Sequence, residues 1–137
     1  MSNYAYVATR ARSRRSRLLP AEAYNQLLNL EHAEIARYIQ DLEYRREIDR
    51  YGSTLSGADL IETALVDNLA RDVGDFLSFS KGKLRDILHV YAEKYRIENL
   101  KNIVRGINQN MDKQNLERLV CPINDSDEEL YNKLYDS

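Results

Sequence analysis

The stretch "KLRDILHVYAEKYRIENLKNIVRGI", residues 83–107, decides the fold class of this 137-residue chain. Its apolar residues recur at helical spacing, first as Leu84, Ile87, Leu88, Tyr91 and Tyr95, and then as Ile97, Leu100, Ile103, Val104 and Ile107. The spacing predicts one kinked helix or two abutting helices. Similar spacing recurs along almost the whole chain, and no segment alternates with period two for long. We therefore predict an all-α protein.

The regions before this stretch contain a second helix and an interruption. Ser56 followed three residues later by Asp59 resembles a capping box, and the apolar stripe behind it predicts a long helix. Gly74 lies inside that helix at a cost of about 1 kcal/mol relative to Ala, so it predicts a close helix crossing. The charged segment "EYRREIDRYGSTLSG", residues 43–57, predicts a linker or an exposed turn.

The composition is typical of a helical globular protein, with 43% hydrophobic residues, 31% charged residues, five Gly and two Pro. A net charge of -2 gives no overall reason to expect a polyanionic partner, so any basic function must be local. The single Cys121 excludes an internal disulfide and suits a reducing cytoplasm. No stretch approaches the roughly 20 apolar residues of a membrane helix, so we do not expect the chain to span a bilayer.

A local basic cluster, "RARSRRSR", occupies residues 10–17. On a helix, Tyr4, Val7, Ala8, Ala11 and Leu18 would share one face, with Arg10, Arg14 and Arg17 on one side of it and Arg12 and Arg15 on the other. We expect these arginines to flank a buried seam and to hold their guanidinium groups against carboxylates of neighbouring helices or of a partner protein. A nucleic-acid-binding arm is the alternative, although such arms are more often basic tails without an apolar face.

The end of the 83–107 stretch carries small and polar residues at special positions. Asn99, Asn102 and Gly106 lie together beside the apolar face of the predicted helix, whereas Glu98 and Arg105 lie on its opposite flank. Small and polar side chains there would let another backbone approach closely. The alternative is that Gly106 is a helix C-cap and that the asparagines are solvated.

These residues carry a family resemblance. The segment "YAEKYRIENLKNIVRGI" (91–107) resembles the most characteristic stretch of the C subunit of archaeal-type (A/V-type) ATP synthases, which is related to the d subunit of vacuolar ATPases. The matching positions are Ile97, Glu98, Asn99, Leu100, Ile103, Val104, Arg105 and Gly106. Three further segments are similar to the family in the same order, namely residues 4–19, 41–44 and 60–80. Arg14 and Arg15 depart from the pattern by making the first helix more basic.

The resemblance covers nearly the whole chain but only the N-terminal part of the family. It implies a helical lobe of a three-lobed, funnel-shaped repeat fold, here truncated. It also implies a non-catalytic coupling subunit, peripheral on the cytoplasmic side of the cell membrane, that seats the rotating central stalk of a proton- or sodium-translocating ATP synthase on the membrane proteolipid ring. The alternatives are a nucleic-acid-binding helical domain that uses the Arg10–Arg17 helix, and an unrelated helical adaptor.

Two segments of the chain resemble each other, which supports an internal repeat. "RLLPAEAYNQLL" (17–28) and "RLVCPINDSDEELYNKLY" (118–135) both run from Arg-Leu through Pro and an acidic residue to Tyr-Asn. Repeated supersecondary units predict that a second lobe begins near Arg118. We therefore expect residues 1–117 to form a first helical lobe and residues 118–137 to start a second, truncated one.

The sequence shows no set of residues that would form a catalytic site. His32, His89 and Cys121 are far apart in sequence and show no metal-ligand spacing. The "SKGKL" stretch has Leu84 where a phosphate-binding loop needs Ser or Thr, and Leu77 where its first Gly belongs. We therefore expect no enzyme, no cofactor, no metal, no small-molecule substrate and no nucleic acid, with the central-stalk subunits and the proteolipid ring as partners. The candidate protein-contact or helix-packing residues are Arg10, Arg12, Arg14, Arg15, Glu98, Asn99, Arg105 and Gly106.

Overall fold

The computed structural model describes residues 1–136, and over that range the protein is helical without β-strands. The all-α prediction is confirmed. The helices are α1 (Tyr4–Arg15), α2 (Ala21–Leu27), α3 (His32–Gln40), α4 (Arg45–Tyr51), α5 (Gly57–Phe79), α6 (Lys83–Asn108), α7 (Lys113–Arg118) and α8 (Asp125–Tyr135). None of the helices within residues 1–136 combines the length and the apolar content needed to cross a membrane.

The stretch that opened the sequence analysis forms one continuous helix, α6, of 26 residues. Gly82 precedes it with a φ of 59°, in the left-handed region where a side chain is costly, and so separates α5 from α6. Asn3 holds this connection, because its amide donates to the Phe79 carbonyl at 2.8 Å and its Oδ1 accepts from the Lys81 amide at 2.9 Å. The connection between α5 and α6 is therefore a defined turn.

Gly74 lies inside α5 and allows a close backbone approach. A Cβ atom built there would lie 2.6 Å from the Ile123 carbonyl oxygen. The predicted helix crossing is therefore wrong, because the close neighbour is the segment between α7 and α8 and not another helix.

The chain divides into two compact units, which we describe separately. The N-terminal unit, residues 5–69, has a core of Ala36, Ile39, Ile48, Leu60 and Ala64. Partly buried tyrosines and aliphatic residues surround this core, namely Tyr38, Tyr44, Tyr51, Leu55 and Ile61.

The predicted linker at residues 43–57 is wrong in part, because it contains helix α4. Ile48 is buried in the core of the N-terminal unit, and the neighbouring Glu47 is buried as well. The Asn68 amide donates to Glu47 Oε2 and to the Glu43 carbonyl, both at 3.4 Å. A seven-residue helix is not stable alone, so these tertiary contacts supply the stability that the charged sequence does not indicate.

The C-terminal unit comprises Met1–Tyr4 and the described residues from Ala70 onward. Its core contains Ala70, Leu77, Ala92 and Ile123, and α7 and α8 both pack on α6. The chain passes between the two units twice, from Tyr4 to Ala5 and from Leu69 to Ala70. The division into lobes at residues 117 and 118 stays a prediction.

Candidate protein-contact sites

The predicted site residues lie in two separate places. Arg10, Arg12, Arg14 and Arg15 belong to α1, in the N-terminal unit. Glu98, Asn99, Arg105 and Gly106 belong to α6, in the C-terminal unit. The structure therefore gives two candidate sites.

Helix α1 buries little apolar surface. Val7 is its buried residue, whereas Ala8 and Ala11 are exposed and Leu18, which follows the helix, is 65% exposed. The expected buried seam between the arginines is therefore wrong. Ala8 and Ala11 offer little apolar area, so their burial would add little stability.

The arginines of α1 instead form an exposed basic surface. Arg10, Arg12 and Arg15 are exposed and Arg14 is half-buried. The Arg10 guanidinium lies 5.5 Å from the centre of the Tyr6 ring, within the range of a cation–π contact. Arg12, Arg14 and Arg15 occupy the last turn of α1, where positive charge complements the helix dipole.

Arg17, the last arginine of the cluster, has a carboxylate partner within the N-terminal unit. Arg17 Nη1 lies 3.1 Å from Glu43 Oε2, and both side chains are about half exposed to solvent. An exposed pair of this kind contributes only about 0–1 kcal/mol. This pair fixes the end of the basic surface and leaves Arg12 and Arg15 exposed.

On α6, the asparagines bind the irregular segment that links α7 to α8. The Asn99 amide donates to the Cys121 carbonyl at 2.9 Å and to the Tyr131 hydroxyl at 3.3 Å, and the Asn102 amide donates to the Leu119 carbonyl at 3.1 Å. The alternative that these asparagines are merely solvated is therefore wrong. They pair backbone carbonyls that regular secondary structure leaves without partners.

Gly106 lies inside α6 and is buried. Within residues 1–136 the glycines with positive φ are Gly57 and Gly82, so the alternative that Gly106 is a left-handed C-cap is wrong. A Cβ atom built at Gly106 would lie 2.1 Å from Leu116 Cδ2 and 3.3 Å from Met111 Sδ. Gly106 therefore lets α7 pack directly on the α6 backbone.

Glu98 and Arg105 are exposed on another flank of α6. Glu98 Oε1 accepts a hydrogen bond from Lys101 Nζ at 2.9 Å. This hydrogen bond, and then the charge of Lys101, lowers the pKa of Glu98, and the more distant charge of Arg105 adds to the effect. The structure thus separates the four α6 residues into an internal packing pair, Asn99 and Gly106, and a surface charged pair, Glu98 and Arg105.

Sequence reasoning missed a partly buried ion pair between α6 and α8. Arg96 Nε lies 2.8 Å from Asp127 Oδ1, and Asp127 Oδ2 accepts from the Ile123 amide at 3.3 Å. Arg96 also pairs with Glu93. Burial alone would lower the pKa of Arg96, but the hydrogen bonds to Asp127 and Glu93 outweigh it and raise that pKa.

A local signal for half of this pair does exist in the sequence. Asn124 caps α8 by accepting from the Asp127 amide at 3.0 Å, which places Asp127 at the third helical position. An Asn followed three residues later by an acidic residue is a variant of the capping-box pattern. Nothing local identifies Arg96, because 31 residues separate it from Asp127.

The fold and these sites define an all-α protein whose candidate residues serve helix packing and surface charge. The chain belongs to the ATP synthase (C/AC39) subunit family, whose model matches residues 7–137. The prediction of family membership is therefore confirmed. No solved structure matches the chain.

The relatives that resemble the chain are named as the C subunit of A-type ATP synthases. The Haloferax volcanii protein is 37% identical over 136 residues, which cover 99% of this chain and 39% of that protein. The Methanosarcina mazei protein is 42% identical over 105 residues, covering 77% of this chain and 29% of the relative. The Archaeoglobus fulgidus protein is 34% identical over 131 residues, covering 96% and 38%. The chain thus spans less than two fifths of the length of these relatives.

Proposed function

We propose that this chain serves an A-type ATP synthase as a non-catalytic coupling subunit that seats the rotating central stalk on the membrane proteolipid ring. The observation that carries the proposal is the family match over residues 7–137, together with relatives named as the C subunit of this complex. The proposed partners are the central-stalk subunits and the ring. The proposed location is the cytoplasmic side of the membrane, as a peripheral protein, and the coupled ion is a proton or sodium.

The exposed basic surface of α1 is the part that we assign to contact with other subunits. Arg12 and Arg15 lie on that surface with their side chains in solvent. Guanidinium groups bind carboxylates in planar, two-bond geometry, and a basic surface favours an acidic partner during encounter. Glu98 and Arg105 on α6 are proposed as a second, mixed-charge contact.

A proposed lobe organisation accompanies this role, with residues 1–117 as the first helical lobe and residues 118–137 as the start of the next. The sequence similarity between residues 17–28 and residues 118–135 supports this organisation. Asn99 and Asn102 would then hold the start of the second lobe against α6, since their partners are Cys121, Tyr131 and Leu119.

Neither alternative from the sequence is favoured by an observation. The family match excludes the interpretation of the chain as an unrelated helical adaptor. The nucleic-acid interpretation rests on the basic surface alone, which a protein partner with carboxylates explains equally well. We also propose that the chain is not an enzyme, because its well-defined polar contacts hold parts of the chain together. These are the contacts of Asn99, Asn102 and the Arg96–Asp127 pair.

A chimera tests the coupling role. In the C subunit of the Haloferax volcanii enzyme, the segment that this chain matches at 37% identity is replaced by residues 1–136 of this chain. We expect the chimeric complex to assemble, to hydrolyse ATP and to pump ions, whereas a version that lacks the segment should give no coupled pumping. An assembled chimera that hydrolyses ATP without pumping would contradict the proposal.

Charge reversal tests the assigned surface within the same chimera. Arg12→Glu with Arg15→Glu should weaken retention of the chimeric protein in the complex at physiological salt. The matched control is Arg85→Glu with Arg118→Glu, which reverses two exposed arginines outside α1. Equal loss of retention in both pairs would show that α1 has no special part in the contact.

A further inference from the structure

Residues 1–3, which we call the strap, lie on the turn between α5 and α6. The Asn3 amide donates to the Phe79 carbonyl at 2.8 Å, and Asn3 Oδ1 accepts from the Lys81 amide at 2.9 Å. These partners are 76 and 78 positions away in the sequence. The contact is therefore a tertiary one, and it does not belong to the neighbouring helix α1.

Gly82 makes space for the strap. A Cβ atom built on Gly82 would lie 2.7 Å from Ser2 Oγ and 3.3 Å from the Ser2 amide nitrogen. Gly82 also has a φ of 59°, which a residue with a side chain rarely adopts. Within residues 1–136, the hydrogen bonds that hold the strap on this turn are those of the Asn3 side chain.

Asn3 also occupies the position that caps α1. The helix begins at Tyr4, and Asn is among the residues preferred immediately before a helix, where its side-chain oxygen accepts from an amide of the first turn. In this structure Asn3 Oδ1 accepts from Lys81 instead, and within residues 1–136 it accepts from no amide of α1. The first turn of α1 has no acidic residue that could replace the cap. The same oxygen atom therefore has two competing uses.

The two uses of Asn3 connect different parts of the molecule. The strap and Tyr4 belong to the C-terminal unit, whereas α1 from Ala5 onward belongs to the N-terminal unit. Helix α1 gains little from its own packing, because Val7 is its buried residue. Whether Asn3 binds the turn or caps α1 therefore decides whether the start of the basic helix is tied to the C-terminal unit.

We propose that the strap is releasable and that the Asn3 side chain is its latch. Asn3 alternates between the turn at residues 79–81, where it ties α1 to the C-terminal unit, and the first turn of α1, which it caps after release. Two ordinary hydrogen bonds and one N-cap contribute free energies of the same order, so the two arrangements are similar in strength. A partner that binds one arrangement more tightly would shift the balance between them.

Any use of the latch by a partner of the basic surface rests on the proposed function, whereas the latch itself does not. The tests therefore use the purified chain, and they can fail while the chimera still pumps ions. Likewise, a chimera that fails to pump would leave the tests of the latch unaffected.

Hydrogen exchange and NMR relaxation of the unmodified 137-residue chain test the alternation. The Lys81 amide should exchange through a local opening that does not depend on urea, whereas the amide of the buried Ile103 should exchange through an unfolding that urea accelerates. Relaxation dispersion should detect microsecond-to-millisecond exchange at the Asn3 side-chain amide and at the Lys81 amide. Lys81 exchange that rises with urea as steeply as that of Ile103, together with no dispersion at Asn3, would overturn the proposal.

Two substitutions separate the two uses of Asn3. Asn3→Asp keeps a capping oxygen but loses the donor to Phe79, so the Lys81 amide should exchange about fivefold faster while the amides of α1 keep their protection. Asn3→Ala removes both uses, so the Lys81 amide and the α1 amides should all exchange faster. The matched control is Asn29→Ala, which removes an exposed asparagine amide that donates to the Asn25 carbonyl and should change neither set of rates.

The contrast between Asp and Ala at position 3 is decisive. Equal loss of α1 protection in both variants would show that this position does not cap the helix. Unchanged Lys81 exchange in both variants would show that Asn3 does not hold the turn. Either result would overturn the proposal, and so would an Asn29→Ala control that accelerates Lys81 exchange as much as Asn3→Asp does.

Discussion

Gly106 provides the sharpest test of how α7 packs on α6. Replacement by Ala inside a helix would by itself stabilise the protein by about 1 kcal/mol. The new Cβ, however, would lie 2.1 Å from Leu116 Cδ2, and Leu116 is only 3% exposed, so it has little room to rotate. Overpacking of this kind costs about 1–3 kcal/mol. The sum predicts that Gly106→Ala destabilises the protein by about 0–2 kcal/mol.

A double-mutant cycle isolates the steric part. Leu116→Ala removes the atom that the new Cβ would meet, so Gly106→Ala should become stabilising by up to about 1 kcal/mol in that background. The free energy of unfolding follows from urea titrations monitored by circular dichroism. If Gly106→Ala stabilises the unmodified chain by about 1 kcal/mol, or changes both backgrounds equally, the close contact with Leu116 does not exist.

Larger substitutions and a second glycine complete the series. Gly106→Asn and Gly106→Leu should each be less stable than Gly106→Ala, whereas a left-handed cap would favour Asn over Ala. Gly74→Ala should cost more than Gly106→Ala, because the atom 2.6 Å away is the backbone oxygen of Ile123, which cannot rotate aside. A smaller cost at Gly74 than at Gly106 would contradict this distinction.

Four further predictions concern the ion pair, alkaline pH and two ligands. Asp127→Ala should cost about 3 kcal/mol in urea titrations because it leaves Arg96 largely buried with only an exposed partner, while Asp127→Asn, which still accepts a hydrogen bond, should cost less; equal costs would contradict the ion pair. Desolvation, followed by nearby negative charge, raises the pKa of Tyr135 to about 12, so the stability from its neutral form is complete below about pH 10 and lost as pH rises through about 12. Tyr135→Phe should flatten that fall, and an unchanged slope of unfolding free energy against pH would refute it. The chain should show no salt-sensitive binding to duplex or single-stranded nucleic acid near physiological salt, and micromolar binding lost on Arg14→Ala with Arg15→Ala would contradict the protein-contact role. Calorimetry should detect no Mg-ATP binding, and a stoichiometric signal would overturn the non-catalytic proposal.

The helical character of the two long elements followed from local sequence. Apolar spacing alone predicted α5 and α6, because this periodicity acts over a few residues. Gly74 and Gly106 were identified as places of close approach for the same reason. A glycine inside a strong helical pattern needs compensation from packing.

Only tertiary packing decided what those elements touch. Helix α4 looks like a charged linker, yet it forms because Ile48 enters the N-terminal core and Asn68 binds Glu47. Arg96 and Asp127 carry no local sign of each other, since the spacing between them is set by how α8 returns to α6.

The two faces of α6 show most clearly what the spacing of apolar residues in the sequence does not determine. The sequence shows apolar residues around much of this helix, and periodicity assigns Ile87, Ile97 and Val104 to the same predicted stripe as the buried Ile103. The structure separates them, because α7, α8 and the 119–123 segment cover the side of α6 that carries Asn99 and Gly106. Periodicity measures how apolar residues repeat along a helix axis, whereas burial depends on which neighbours occupy each side, and those neighbours come from distant parts of the chain.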